Sequence, residues 1–273
     1  MPRVSSSREP GRHDGTALHV QHRRGVEHER LRAQAQVWDR LTFRRLAECG
    51  VTEGWDCLDV GAGSGTVVQW LSGRVGDSGQ VVATDLETTW LQRLKAANLE
   101  VLRHDVSVDP FGESVFDLIT LRLVLVHQRD QRAVLDKLVA ALKPGGTLLV
   151  EECDFGTLPM SDPPDSTWST VAAAPAALVE LLGADPHLGD RLPRMLRESG
   201  LTDVDAEAVA FPRRMPDIPS WQKNFQELRD RMIEAGLVEQ AQVDEVIATF
   251  DDPSCELVVR GPTMVSVRGR KAA

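Results

Sequence analysis

Three glycines at alternate positions, Gly61, Gly63 and Gly65, follow Leu58-Asp59-Val60 and precede a helix-like stretch from Val67 to Leu71. Glycine lets a backbone turn tightly and lets a ligand approach where a Cβ would block it. Between a strand and a helix, such a loop can hold a cofactor over a helix N-terminus. The dinucleotide spacing G-x-G-x-x-G/A needs glycine or alanine at position 66, where the chain has Thr66. The G-x-G-x-G spacing, with Asp59 two residues ahead of it, therefore points to another cofactor. Further acids close apolar runs: Asp85 after Val81 to Thr84, Asp105 behind His104, and Glu151, Glu152 and Asp154 after Thr147 to Val150. A strand-end carboxylate can accept both hydroxyls of a ribose. A histidine such as His127, or one of the later acids, can take up a proton.

The elements that must position these residues alternate. Strands are expected at Asp56 to Val60, Gln80 to Thr84, Glu100 to Arg103, Phe116 to Leu121 and Thr147 to Glu152. Helices are expected to about Val75, around Trp90 to Ala97, and after an Asp130 cap with Val134, Leu138, Val139 and Leu142 on one face. Pro144-Gly145-Gly146 stops that last helix. Strands alternating with helices of this length predict an α/β fold with a parallel sheet and helices on both faces. From about Val26 to Cys49, apolar residues recur at helical spacing, giving one amphipathic helix or two. Beyond Glu152 a loop is expected over Gly156 to Pro164. Helices follow at Thr167 to Leu182, Leu192 to Glu198, Trp221 to Ala235 and Val238 to Phe250, with strands at Val204 to Phe211 and Met264 to Arg268. The expected segmentation is a disordered tail over 1–17, cover helices over 18–50 and a core over 51–211. A helical lid insertion over 212–260 and a last strand and tail over 261–273 complete it.

With 273 residues, 42% hydrophobic and 26% charged, the chain has the composition of an ordinary globular protein. A net charge of −10 repels a phosphate backbone, and the short basic spots read as solvated surface, so no nucleic-acid partner is expected. No run approaches the ~20 apolar residues of a bilayer span, and the polar start carries no secretory h-region. The four cysteines lack ligand or C-x-x-C spacing, as expected for reduced thiols in a cytoplasm. No metal site is expected.

Five segments fall in an order that resembles the class I S-adenosylmethionine (SAM)-dependent methyltransferases, small-molecule branch, over about Gly25 to Lys271. Leu58 to Gly65 resembles the family's first motif and Val81 to Asp85 its second-strand acid. His104-Asp105-Val106 occupies the adenine-side position. Phe116 to His127 and Leu142 to Glu152, with its Pro-Gly-Gly turn, match the fourth and fifth strands. The resemblance implies a Rossmann-like sheet, mostly parallel with an antiparallel last strand, SAM as cofactor and S-adenosylhomocysteine (SAH) as product. It further implies that Gly61, Ala62, Gly63 and Ser64 pass under the cofactor tail and ribose, and that Asp59 holds the loop or the ammonium. Asp85 with Leu86 would take the ribose side and His104, Asp105 and Val106 the adenine. The backbone of Leu121 or Arg122 would meet the ammonium, and Arg30, in an N-terminal pattern with Glu27, Leu31 and Gln34, would pair with the carboxylate.

Methyl transfer is an in-line displacement, so positioning supplies much of the rate, and a base is needed only for an acceptor with a proton to lose. His127, Glu152 and Asp154 are the candidates. Because strand neighbours face opposite ways, only part of the 151–154 cluster can enter one pocket. Trp38, Trp168, Trp221, Phe155, Phe225 and Met232 suit either a hydrophobic or aromatic acceptor pocket or the core of the helical cover. His13, His19, His22 and His28 are expected in the tail or cover. A small-molecule partner is expected, homo-oligomerisation stays open, and a SAM-binding protein without methyl transfer or a nicotinamide enzyme are the alternatives.

Overall fold

A computed structural model describes residues 24–156 and 160–273, with side chains from residue 29 onward. In chain order the elements are α1 (Arg24–Glu48), β1 (Asp56–Val60), α2 (Thr66–Val75), β2 (Gln80–Asp85), β3 (Leu99–Arg103), β4 (Phe116–Arg122), α3 (Gln131–Ala141) and β5 (Leu142–Asp154). There follow β6 (Met160–Asp162), α4 (Ser166–Leu181), α5 (Leu188–Glu198), β7 (Thr202–Val209), β8 (Pro212–Arg214), α6 (Pro219–Glu234), α7 (Gln240–Thr249), β9 (Val258–Arg260) and β10 (Thr263–Arg270). They form two compact units. The first contains the residues up to Glu152, Arg191–Glu207 and Ser266–Ala273, and the second Cys153–Asp190 and Ala208–Val265. This division differs from the expected core of 51–211, since residues 153–190 pack with the later helices.

The first unit is built on a seven-stranded sheet in the order β3-β2-β1-β4-β5-β10-β7. From β3 to β5 the neighbours are parallel, with Leu58 level with Val82 and Ile119. The end of β10 lies against the start of β5, where the Gly145 N–H donates to the Lys271 carbonyl and the Lys271 N–H to that of Gly146. The last strand is thus antiparallel, as expected. On one face Cys57, Val81, Leu118 and Leu149 cluster with Leu46 of α1 and Val67, Val68 and Leu71 of α2. The pleat turns Leu58, Val82, Ile119 and Leu148 to the other face, where all four are fully buried. Burial on both faces explains why these strands read as unbroken apolar runs. Asp130 caps α3 as expected, accepting from the Ala133 N–H at 2.9 Å.

Two local expectations are corrected. A helix over 90–97 is replaced by a single 3₁₀ turn, Leu91–Arg93. Thirteen residues join β2 to β3, and after the Asp85-Glu87-Thr89 turn only the Leu91–Arg93 turn is helical before Leu99 pairs with Val81. The fifth strand runs on from Leu142 through Pro144-Gly145-Gly146, with its register to β4 shifting between Phe116 and Leu118.

The second unit holds a small antiparallel sheet, β6-β9-β8, that the sequence pattern missed. Its three-residue strands are too short to show alternation, and β6 lies in the segment expected as a loop. Around it α4, α6 and α7 bury Trp168, Val171, Phe225, Met232, Val243 and Phe250 in one core. The Trp168 ring stacks on Trp221 at 5.9 Å and meets Phe225 edge-on at 5.8 Å. Asp165 caps α4 through the Trp168 N–H at 2.7 Å. Trp221 lies flat on Gly261, where a Cβ would come within 1.7 Å of its Cζ2. Gly261→Ala should therefore displace Trp221 from Trp168, costing about 1–3 kcal/mol and shifting tryptophan emission. A variant with the wild-type spectrum and urea midpoint would contradict this packing.

Candidate functional site

At the end of β1 the chain enters Gly61 and Gly65 with φ of +67° and +79°, a region only glycine adopts freely. Space forbids a side chain as well. A Cβ on Gly61 would lie 2.5 Å from Val124 Cγ2, and one on Gly65 2.7 Å from Leu94 Cδ1. The loop runs into α2, whose first turn has no side-chain cap, so its N–H groups remain available to an anion. Leu31 of α1 lies over Gly63, 3.7 Å from where its Cβ would be, and half-buried Arg30 precedes it. Ala62 is buried, and Ser64 is half-buried beside it.

Asp85, closing β2, binds this loop directly. Its Oδ2 accepts from the Gly63 N–H at 2.9 Å and its Oδ1 from the Glu87 N–H at 3.0 Å. Each oxygen keeps a second lone pair for a hydroxyl. Leu86 beside it is 45% exposed, an apolar surface at the loop's edge. After β3, Asp105 closes a turn: its Oδ1 accepts from the Ser107 N–H and hydroxyl, and its own N–H donates to Asp109 Oδ2. Val106 is buried, with its carbonyl on Lys137 Nζ. His104 is buried and stacks on Phe111 at 4.3 Å. Burial pushes its pKa down, so the ring is neutral; Nε2–H donates to the Pro110 carbonyl at 3.4 Å and Nδ1 has no protein partner.

Between these strands lies a polar network that sequence reasoning missed. The Arg122 guanidinium, at the end of β4, donates to Asp39 Oδ1 from both terminal nitrogens at 3.1 Å and to Thr42 Oγ1 at 2.7 Å. Thr66 Oγ1 donates to the same Asp39 oxygen at 3.1 Å. Thr42 Oγ1 donates to Glu151 Oε2 at 2.5 Å, and Ser266 of β10 donates to Glu151 Oε1 at 2.8 Å. Arg45, 3% exposed, closes the far side on Ser266 and Asp205. The available signal was three polar residues, Asp39, Thr42 and Arg45, spaced at three on a helix face shared with Trp38, Leu41 and Leu46. Asp59 sits beside this network, with Oδ2 buried and without a protein partner. Burial pushes its carboxyl up to about 8; Arg122 opposes that, while Asp85, Asp39 and Glu151 add to it.

The candidate proton acceptors differ in exposure and in what they hold. His127 is exposed, at the end of the 3₁₀ turn Leu125–His127 that follows β4. Glu152 is fully buried and holds the Val124 and Leu125 N–H groups on Oε1 at 2.9 and 2.6 Å. Asp154, 1% exposed, holds the N–H groups of Gly156 and Asp190 at 2.7 and 3.3 Å. Leu121 is fully buried in β4. Of the aromatic and methionine candidates, Trp38, Trp168, Phe225 and Met232 are core residues, whereas Trp221 and Phe155 are half-buried. Glu27, His13, His19, His22 and His28 lie outside the described residues or side chains. Among the described residues no helix is long and apolar enough to cross a membrane, and no three His, Cys, Asp or Glu could hold a metal ion.

Residues 58–150, from β1 to β5, match the family described as a methyltransferase domain. Through this segment, about a third of the chain, the protein is similar to methyltransferases. Among curated proteins it is 32% identical over 126 residues to the ubiquinone/menaquinone biosynthesis C-methyltransferase UbiE of Enterobacter sp. (strain 638), covering 43% of this chain and 49% of that one. The chain thus spans about half the length of the curated relatives it matches. Its fold is shared with the YcgJ protein of Bacillus subtilis, at TM-score 0.56 and 14% identity, covering 86% and 99% of the two chains. It is also shared with the [4+2]-cyclase SpnF, at TM-score 0.54 and 18% identity, covering 87% and 82%.

Burial pushes Glu152 up to about 8 as well. Asp59 and Glu152 are therefore protonated when folded, and ionised when unfolded, between about pH 4 and pH 8. Their contribution to stability is complete below that window and is lost as pH rises through it. The urea midpoint should accordingly fall more from pH 5 to 9 in the wild type than in Asp59→Asn, which cannot ionise. Parallel curves would refute the assignment for Asp59.

Proposed function

We propose that the protein transfers the methyl group of SAM to a small, hydrophobic or aromatic acceptor, at carbon, nitrogen or oxygen, leaving SAH. The observation that carries the reading is the bond between Asp85 and the Gly63 N–H. It sets a strand-end carboxylate beside a glycine loop in which Gly61 and Gly65 have no space for a side chain, an arrangement suited to a ribose and its attached amino-acid tail. Two buried polar atoms without protein partners, Asp59 Oδ2 and His104 Nδ1, lie at the ends of β1 and β3. Such atoms are costly when buried and gain when a polar ligand meets them.

When bound, SAM supplies a sulfonium methyl for in-line displacement. On this reading Gly61, Ala62, Gly63 and Ser64 pass beneath the tail and ribose, and Asp85 accepts from the ribose hydroxyls with Leu86 packing alongside. His104, Asp105 and Val106 border the adenine. Asp59 and the backbone of Leu121 and Arg122 receive the ammonium, and Arg30 pairs with the carboxylate. His127 is the group positioned to take a proton from an acceptor that must lose one, because it alone of the three candidates is exposed. The hydrophobic or aromatic acceptor class is supported by the exposed Leu86 beside the loop.

Calorimetry should give binding of SAM and none of NAD. Asp85→Ala should weaken SAM by about 1.5–3 kcal/mol, roughly 10- to 150-fold in Kd. An affinity within a factor of about two of wild type would remove the ribose assignment. With an acceptor found by screening labelled SAM against candidate metabolites, His127→Ala should lower kcat by roughly 10²–10⁴ while leaving SAM affinity intact. A wild-type kcat across the pH range would show that no base is used. Tight SAM binding with no product on any acceptor would favour a SAM-binding protein that does not transfer methyl groups.

A further inference from the structure

Glu152 has no exposed surface, so an acceptor cannot reach it without displacing its neighbours. Its work is local. Oε1 accepts from the N–H groups of Val124 and Leu125, the amides that open the turn ending at His127. That turn leaves β4 through Leu123 at φ +59°, a conformation unfavourable for leucine that neighbouring contacts must hold in place. The preceding residue supplies the companion bond, from the Leu123 N–H to the Glu151 carbonyl at 2.8 Å. Two successive residues of β5 thus fix three successive amides, one through its main chain and one through its side chain. The fixed segment faces the cofactor loop, since Val124 occupies the space that a Cβ on Gly61 would need.

We propose that Glu152 is a positioning residue: its carboxyl oxygen clamps the Val124 and Leu125 amides, and so sets both the Val124 wall against Gly61 and the place of His127. The inference rests on reading the Gly61–Gly65 loop as the SAM cradle. What the clamp needs is an acceptor oxygen at the reach of a glutamate side chain, and not a negative charge. Glutamine keeps that oxygen and that reach; aspartate keeps the ionisable carboxyl group and falls short by one methylene.

The test compares the full chain with its Glu152→Gln and Glu152→Asp variants by SAH calorimetry, and by the NMR signals of His127 in the free protein. Glu152→Gln should stay within about threefold of the wild-type Kd, with unchanged His127 signals. Glu152→Asp should lose roughly tenfold or more and shift them. The reverse order, with aspartate retaining affinity and glutamine losing it, would make charge the determinant and overturn the clamp. So would wild-type affinity and wild-type imidazole signals in Glu152→Asp. A wild type that binds no SAH would sink the cofactor reading instead, and the clamp would then stand or fall on the His127 signals, which need no cofactor.

Discussion

The first unit turns on one guanidinium set among acids. Arg122 donates to Asp39 and Thr42, and Asp39 in turn receives the Thr66 hydroxyl, so one carboxylate oxygen joins α1, the end of β4 and the start of α2. Those elements enclose the glycine loop. Asp59, Asp85 and Glu151 surround the same region, and Arg122 is the largest favourable charge acting on both Asp59 and Glu151. Buried ions of this kind add little net stability over an apolar core, yet removing one partner strands the others at a cost of about 3–5 kcal/mol. The arrangement is therefore better understood as fixing α1 in one register over the loop than as a source of stability.

Thr66 shows how this differs from a dinucleotide fold. There the third small residue lets helix and strand close on each other. Here the same position carries a hydroxyl spent on Asp39 of a helix that covers the loop from outside. The glycine loop and the helix over it are thus joined at a residue that a nicotinamide enzyme would keep small.

Legibility in the sequence followed the length of each pattern. The first five strands and their order along the chain could be read because burial on both faces produces unbroken apolar runs, and the loop because three glycines at fixed spacing admit few other uses. The three-residue strands β6, β8 and β9 carry too few positions for any period to show. Asp39, Thr42 and Arg45 read as the polar side of an amphipathic helix, because nothing local says that their partners are Arg122, Glu151 and Ser266, up to 221 residues away. For the acids of β5 the alternation of the pleat was the informative rule. Glu151 turns to Thr42 and Ser266, and Glu152 to the turn after β4, so neighbours in sequence serve opposite faces. Their burial, which closes them to an acceptor, could not be read from spacing.

The place of β10 bears on how such a chain comes into being. It lies between β5 and β7, although every other described strand precedes it in the sequence. A ribosome releases β1 to β5 first, and they can pair as they emerge, but the outer edge of β5 must then wait through more than a hundred residues for its neighbour. During that interval an apolar strand shows an open ladder of amides and carbonyls, the feature by which unfinished sheets recruit one another. Arg45 and Glu151 likewise wait for Ser266. The nascent chain is thus exposed to misassembly until β10 has been made, and the edge of β5 is closed only by a strand more than a hundred residues further on.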